Sequence, residues 1–145
     1  MHRISTLVIL AALLAALTLS ACGVEGAAPG TTDQPSLAGT QWVLTEINGR
    51  PALDDPEVTL VFDDSNAGGD AGCNSYGGDY TAEDGTLTFG EIVSTLRLCV
   101  DEEVMAQETA FLDTLRQTEG YRVSGDRLEI IDAAGTTILV FAAAQ

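Results

Sequence analysis

The chain has 145 residues, of which six are basic and 22 acidic, and its formal net charge at neutral pH is −16. The six basic residues are all arginines, and the single histidine, His2, lies in a stretch typical of an export signal. Without that stretch the chain has neither imidazole nor lysine, which excludes Ser/His/Asp and Cys/His catalytic sites, a lysine Schiff base, a Walker-type phosphate loop and histidine-ligated zinc.

Residues 1–21 have the layout of a secretory signal, because Arg3 supplies a positive start and residues 7–19 form an uncharged apolar run. The segment Leu19-Ser20-Ala21-Cys22 is similar to a bacterial lipobox, which implies cleavage before Cys22 and lipidation of its thiol. Each CH2 group that an acyl chain buries in the membrane contributes about 0.8 kcal/mol to membrane binding, so several acyl chains make such an anchor effectively permanent. An uncleaved membrane-spanning helix is the alternative interpretation. We therefore expect an exported protein, lipid-anchored to the cell membrane or outer membrane and facing the periplasm or exterior.

Residues 22–36 are rich in Gly, Pro, Thr and Ala and poor in core-forming residues, which predicts a flexible tether after the lipidated cysteine. The remaining residues, 37–145, are predicted to form one globular domain. Loss of the signal leaves five arginines against 22 acidic residues, a formal charge of −17. Nucleic acid and anionic membrane surfaces are poor partners for such a domain, and we expect a monomer.

The globular part is predicted to form about eight β-strands, since short apolar runs alternate with Gly, Asn and Asp turn signals. Many short strands joined by tight turns tend to close on themselves and so remove their edges. The predicted strands cover residues 41–47, 58–62, 77–82, 86–89, 92–96, 121–123, 127–131 and 137–142.

Residues 101–117 have helical rather than strand periodicity, because Val104, Phe111 and Leu115 fall on one helical stripe. Asp101 is the predicted N-cap and Gly120 the predicted left-handed stop. The predicted fold is therefore mainly β (α+β), a small antiparallel β-barrel-like sheet with one α-helix packed on it.

Cys73 and Cys99 are the thiols that remain once Cys22 carries lipid. Because an exported domain meets an oxidising environment, we expect the two to form a disulfide, for which the chain-entropy model gives about 3.5 kcal/mol. A reactive redox pair is the alternative, although the spacing lacks the C-x-x-C context that lowers a thiol pKa.

The glycine-rich residues 68–78 place Gly72 and Gly77 at the interval of a phosphate loop. Gly78 and Asp79 then stand where Lys and Ser/Thr are required, so phosphate binding is not predicted. The glycines favour bulges or close backbone contacts in a bent strand.

The acidic residues of the 54–64 region are interpreted as a solvated rim, with weak calcium binding as the alternative. The acidic residues concerned are Asp54, Asp55, Glu57, Asp63 and Asp64. The aromatic residues are interpreted as barrel filling, with a small-ligand cavity as the alternative.

The segment Gly72-Cys73-Asn74-Ser75-Tyr76-Gly77-Gly78-Asp79-Tyr80 resembles the signature of the META domain of the heat-shock protein HslJ family. Further matches occur in the family's order over residues 37–142. The resemblance implies a small, mostly antiparallel barrel-like fold with one helix, found in bacterial envelope lipoproteins and linked to stress. It implies no catalytic residue, metal or cofactor, and a structural role for Gly72, Cys73, Asn74, Tyr76, Gly78 and Tyr80.

The sequence as a whole predicts a non-enzymatic, lipid-anchored envelope lipoprotein, a stress-related binding or scaffolding module with the membrane and an envelope protein as partners. One alternative is an acidic inhibitor or receptor for a basic envelope or extracellular protein, with charge steering the association. The other is a barrel that carries a small apolar ligand.

Overall fold

The computed structural model describes residues 34–145, so the predicted signal, Cys22 and most of the predicted tether lie outside the described residues. The described part contains ten β-strands and one α-helix. The elements are β1 (Gln41–Ile47), β2 (Arg50–Pro51), β3 (Thr59–Phe62), β4 (Asn66–Asp70), β5 (Ser75–Glu83), β6 (Thr86–Phe89), β7 (Val93–Ser94), α1 (Glu102–Leu115), β8 (Gly120–Ser124), β9 (Arg127–Ile131) and β10 (Thr137–Ala143).

Eight of the strands in residues 34–145 close into an antiparallel barrel, which confirms the predicted fold class. Around the barrel they follow the order β1, β3, β4, β5, β6, β8, β9 and β10, and β10 pairs with β1 to complete the ring. The two short strands lie beside this ring, β2 on β1 and β7 on β5. Closure pairs both sides of every barrel strand over at least part of its length.

Two-residue turns carry the residues that their geometry requires. Asn48 and Gly49, with φ of 49° and 73°, connect β1 to β2. Asp84 and Gly85, with φ of 50° and 82°, connect β5 to β6. Because Asn, Asp and Gly tolerate a positive φ better than other residues, these dipeptides specify both hairpins and their register.

Side chains fill the barrel interior, as the packing interpretation of the aromatic residues predicts. Phe62, Phe111 and Phe141 are fully buried, and Phe111 comes from α1 rather than from a strand. The Phe111 ring centroid lies 5.2 Å from that of Tyr76 and 6.4 Å from that of Phe141, both in edge-to-face arrangement. The helix therefore contributes a central side chain to the core. Side chains occupy the part of the barrel interior in which a carrier would hold its ligand.

Helix α1 starts where the sequence predicts. The Asp101 carboxylate accepts hydrogen bonds from the backbone N–H groups of Glu103 at 2.9 Å and Val104 at 3.2 Å. These bonds satisfy two of the amides that a helix N-terminus leaves without a partner.

The predicted helix end is wrong. The helix ends at Leu115, where the Thr118 hydroxyl donates to the Leu115 carbonyl at 2.7 Å, and Gly120 instead begins β8. A Cβ atom at Gly120 would lie 2.8 Å from the Gly85 carbonyl oxygen. This glycine is therefore explained by close strand contact rather than by a left-handed helix stop.

The predicted strands do not include β4, although the glycines of residues 68–78 are interpreted as favouring close backbone contacts in a bent strand. A Cβ atom at Gly69 would collide with the Thr59 carbonyl oxygen, so glycine allows β3 and β4 to approach closely. The strand predicted at residues 92–96 is reduced to β7, because the chain after Ser94 bonds to the side chain of Asn74.

The chain enters the barrel earlier than residue 37. The Gln34 side-chain oxygen accepts from the Val123 backbone N–H at 2.7 Å, and the Tyr121 hydroxyl donates to the Pro35 carbonyl at 3.2 Å.

Over residues 34–145, the structure contains no helix with the length and apolar character needed to cross a bilayer.

Candidate functional site

The signature begins in the turn that joins β4 to β5. Asp70 pairs with Ser75 across the mouth of this turn, and the Gly72 N–H donates to the Asp70 carboxylate at 2.8 Å. Gly72 has a φ of +108°, a backbone conformation that residues with a side chain rarely adopt. Glycine at this position therefore lets the next two residues turn their backbone N–H groups toward α1.

The predicted disulfide between Cys73 and Cys99 is present, with 6.0 Å between the Cα atoms. Cys73 is buried in the turn, and Cys99 lies two residues before the cap of α1. The bond therefore fixes the entry to the helix against the β4–β5 turn.

Glu108, a buried carboxylate on α1, lies at the centre of the site. It accepts from the backbone N–H groups of Cys73 at 3.1 Å and Asn74 at 2.7 Å, and from the Asn74 side-chain amide at 2.7 Å. Burial of a carboxylate is unfavourable unless hydrogen bonds replace its lost hydration, and these three donors do so. We call these residues, together with Thr95 and Arg97 described next, the Glu108 network.

Asn74 uses its full hydrogen-bonding capacity. Its amide nitrogen donates to Glu108 and to the Arg97 carbonyl, the latter at 3.2 Å. Its amide oxygen accepts from the Thr95 hydroxyl at 2.8 Å and the Arg97 backbone N–H at 2.7 Å. A side-chain amide offers two donors and an oxygen that accepts twice, and among the residue types only asparagine and the longer glutamine carry one. Asn74 thus joins α1 to the segment at residues 95–99.

Arg97 completes the attachment of that segment. Its guanidinium donates to the Cys73 carbonyl at 2.7 Å, and the Thr95 backbone N–H donates to the Ser75 carbonyl at 3.0 Å. Residues 95, 97 and 99 are therefore each fastened to the β4–β5 turn or the start of β5, which makes residues 95–99 an anchored segment.

The two signature tyrosines of β5 reach across the glycine-rich β4. Tyr76 bonds to β3, and Tyr80 bonds to the residue that follows β3. The buried Tyr76 hydroxyl donates to the Thr59 carbonyl at 2.8 Å, and the Tyr80 hydroxyl donates to the Asp63 carbonyl at 2.8 Å. Burial raises the pKa of Tyr76, and Asp70 raises it further. The pKa of Tyr80 is also raised, first by burial and then by the nearby acidic residues. Both phenols therefore remain neutral donors.

Gly78 has a contact role. A Cβ atom there would lie 2.6 Å from the Glu91 carbonyl oxygen, so glycine allows the chain that leads into β7 to pass directly over β5. Each signature residue that the sequence singled out therefore positions backbone.

Sequence reasoning did not predict the role of Glu108, which lies 34 residues beyond Asn74. A signal was present, since a glutamate stands between Val104 and Phe111 on the otherwise apolar stripe of α1. A charge at such a position needs partners, but the sequence alone does not show which residues supply them.

A separate surface cavity of about 470 Å³ lies between α1 and the β1–β2 hairpin. Gln107 lies on its wall, where its side-chain oxygen accepts from the Leu53 backbone N–H at 2.7 Å. The cavity opens outward and is distinct from the packed barrel interior.

The family model of the META domain matches residues 35–145. The chain belongs to the META-domain family. No curated protein matches it by sequence. The barrel is similar to a solved NMR structure from Burkholderia xenovorans, with 27% identity, a TM-score of 0.61, and coverage of 75% of this chain and 84% of that one.

Two further solved structures share the fold of this META domain. One is an NMR structure with 19% identity and a TM-score of 0.59, covering 73% of this chain and 90% of that one. The other is a crystal structure of a DUF4847 family protein from Bacteroides vulgatus, with 16% identity and a TM-score of 0.52, covering 73% and 93%.

The chemistry open to this META domain follows from the occupied groups of its signature. The Glu108 carboxylate and the Asn74 amide are both engaged with protein partners. Across residues 34–145, no three Asp, Glu, Cys or His side chains meet in an arrangement that could hold a metal ion. Within the signature, Cys73 and Asn74 anchor residues 95–99.

Proposed function

We propose that this chain is a non-enzymatic, lipid-anchored envelope protein whose META domain presents a fixed surface segment to a binding partner. The observation that carries the proposal is the Glu108 network. Its buried polar side chains, Asn74 and Glu108, form hydrogen bonds that hold residues 95–99 in place. An enzyme would be expected to leave such groups free to face a substrate.

The proposed location is supported by three features of different kinds. Cys22 completes the lipobox-like segment in the sequence. The Cys73–Cys99 disulfide is typical of an oxidising compartment outside the cytoplasm. Residues 22–36, rich in Gly, Pro, Thr and Ala, have the composition of a linker between a lipid anchor and a domain.

Mass spectrometry of the N-terminal peptide tests the anchor. We expect the chain from its native envelope to begin at Cys22 with a diacylglyceryl group on the thiol, and the tether variant Thr31→Ala to be processed identically. Globomycin should make the lipid-modified precursor accumulate. An unmodified Cys22 still joined to residues 1–21 would contradict the anchor.

A stress-related setting is the part of the proposal that the family resemblance alone supports. A strain that lacks this protein should survive a heat shock or novobiocin exposure less well than its parent, and the intact gene should restore survival. Equal survival of the two strains would remove the stress association and leave the binding role in place.

The charge of the domain favours a basic partner, as in the alternative of an acidic receptor or inhibitor. Of the five arginines in residues 34–145, Arg116, Arg122 and Arg127 are each paired with an acidic residue, which leaves a strongly negative surface. Opposite charge speeds encounter and is screened by salt. Capture of the partner from the envelope should therefore weaken between about 50 and 500 mM salt.

A further inference from the structure

The anchored segment and the residues next to it in sequence carry apolar side chains that are exposed to solvent. Val93, Leu96, Leu98 and Val100 are exposed to 62%, 95%, 93% and 104% of their reference areas. We call these four residues the apolar strip. Single exposed apolar residues are common, but four within eight positions of one extended segment are typical of an interaction surface.

The exposure of Leu96, Leu98 and Val100 follows from the anchoring of their neighbours. Thr95 and Arg97 bond to Asn74, and Cys99 is joined to Cys73. Since successive residues of an extended chain face opposite ways, fixing residues 95, 97 and 99 turns Leu96, Leu98 and Val100 outward. Leu96, Leu98 and Val100 are therefore displayed by contacts to Cys73 and Asn74, the two residues whose N–H groups also satisfy the buried Glu108.

The backbone beside the strip is an open edge. The Thr95 and Arg97 N–H groups point inward to Ser75 and Asn74. In residues 34–145, the N–H and C=O groups of Leu96 and Leu98 have no hydrogen-bond partner. Alternate backbone groups of an extended chain point to opposite sides, so these groups face away from the barrel. An unpaired edge of this kind accepts a strand from another chain.

The charges around the strip distinguish between possible occupants. Glu91 lies before it, and Asp101, Glu102 and Glu103 follow it, all exposed. The Arg97 guanidinium, which lies between Leu96 and Leu98 in the sequence, donates to the Cys73 carbonyl. Both an anionic lipid surface and a second copy of this acidic chain would be repelled here. A segment with Lys or Arg on either side of an apolar core would be attracted.

We propose that the apolar strip is a docking edge for an extended segment of another envelope protein, one with alternating apolar residues flanked by Lys or Arg. The segment adds as a strand along residues 95–99, its backbone pairs with Leu96 and Leu98, and its basic flanks meet Glu91 and the first turn of α1. This assignment rests on the proposed binding function and specifies the chemistry of the partner.

Site-specific photocrosslinking in the native envelope tests the docking edge. A photoreactive residue replaces Leu98 in the full-length chain, and a control replaces Ala134, an exposed residue in the β9–β10 turn. We expect position 98, and not position 134, to crosslink to one protein. The crosslinked peptide should contain alternating apolar residues with Lys or Arg on both sides.

Two further measurements separate this result from adventitious capture. Leu96→Ser should reduce the yield at position 98 at least tenfold, whereas Ala133→Ser should leave it unchanged. A synthetic peptide with the sequence of the crosslinked segment should bind the purified full-length chain, and its affinity should fall at least tenfold between about 50 and 500 mM salt, because charge contributes to binding.

Four outcomes would overturn the docking edge: lipid adducts at position 98, crosslinks to a second copy of this chain, a crosslinked segment without basic residues, or no crosslink above that at position 134. The lipidation of Cys22 is measured separately, so a failure here leaves the membrane anchor standing. A lipid adduct would instead identify the strip as a membrane contact.

Discussion

Asn74 and Glu108 form the contact on which the candidate site depends. The Glu108 carboxylate receives three N–H donors, and the Asn74 side chain supplies one of them while accepting from Thr95 and Arg97. An aspartate at position 74 would have nearly the same shape but would place a second carboxylate against the first.

Asn74→Asp should therefore lower the free energy of unfolding by about 2–4 kcal/mol, because a buried donor is lost and two buried carboxylates face each other. Urea denaturation measures this difference. The matched control is Asn66→Asp, which also brings a carboxylate next to another, Asp79, but at an exposed site. Its effect should stay within about 0.5 kcal/mol, and equal losses in the two variants would contradict the buried network.

Tyr76 should make stability depend on pH above about 10. The folded protein holds the Tyr76 proton because burial raises the pKa of its phenol, whereas the unfolded chain releases it near pH 10. The folded state then binds more protons, so the free energy of unfolding should fall by about 1.4 kcal/mol per pH unit from this group. The contribution is fully present below pH 10 and is lost as the pH rises.

Urea denaturation at several pH values between 9 and about 11.5 compares the native chain with Tyr76→Phe, which should remove most of that slope. Tyr80→Phe is the control, since Tyr80 is less buried and should contribute a smaller part. A slope that survives in Tyr76→Phe would show that other groups titrate.

At the scale of elements, the disulfide and the cap of α1 fix the junction between barrel and helix. The Cys73–Cys99 bond spans 26 positions, and Asp101 begins the helix two residues later. Cys73, Cys99 and Asp101 all lie outside the barrel strands.

The double variant Cys73→Ser/Cys99→Ser should lose about 3.5 kcal/mol, because the unfolded chain regains the entropy that the cross-link removes. Hydrogen exchange should quicken at residues 95–100 before it does in β1 or β9. Alkylation of the native chain without reductant should leave Cys73 and Cys99 unlabelled. Two labelled thiols there would mean that the disulfide is absent from the natural protein.

Asp101→Ala should destabilise the protein by about 1 kcal/mol through the loss of two cap hydrogen bonds. Thermal unfolding of Asp113→Ala provides the comparison, since that variant breaks an exposed ion pair with Arg116 and should change stability by less than about 0.5 kcal/mol. Similar losses would show that charge, rather than capping, sets the effect.

The elements also show what sequence patterns can predict. The strands β1, β6 and β9 have their predicted bounds, because each combines alternation with a turn dipeptide. The strand β4 was missed since glycines at residues 68 and 69 remove the apolar signal, and their role lies in contacts with β3 and β5. The signature residues could be recognised, and so could the disulfide partner of Cys73. The hydrogen-bond partners of Asn74 could not, because Glu108 and Arg97 lie 34 and 23 positions away in the sequence.

At the scale of the whole molecule, charge is the dominant feature. The domain carries a large negative charge that few arginines offset, and most of its acidic side chains are exposed. Such self-repulsion destabilises the compact state and is weakened by salt, which shortens the Debye length to about 8 Å at 0.15 M.

We therefore expect the melting temperature to rise as NaCl is increased from about 0.01 to 0.15 M, and to level off as screening becomes complete. Differential scanning calorimetry measures the change. Sodium sulfate at equal ionic strength should give the same rise in this range, because screening depends on ionic strength. A melting temperature that is flat in both salts would contradict self-repulsion.

The pairing of β1 with β10 brings the first and last strands of the barrel together. A chain that lacks residues 137–145 would leave one edge of β1 and one edge of β9 unpaired, so the barrel cannot close while those residues are still being synthesised. The barrel therefore closes only after the residues of β10 are available to pair with β1.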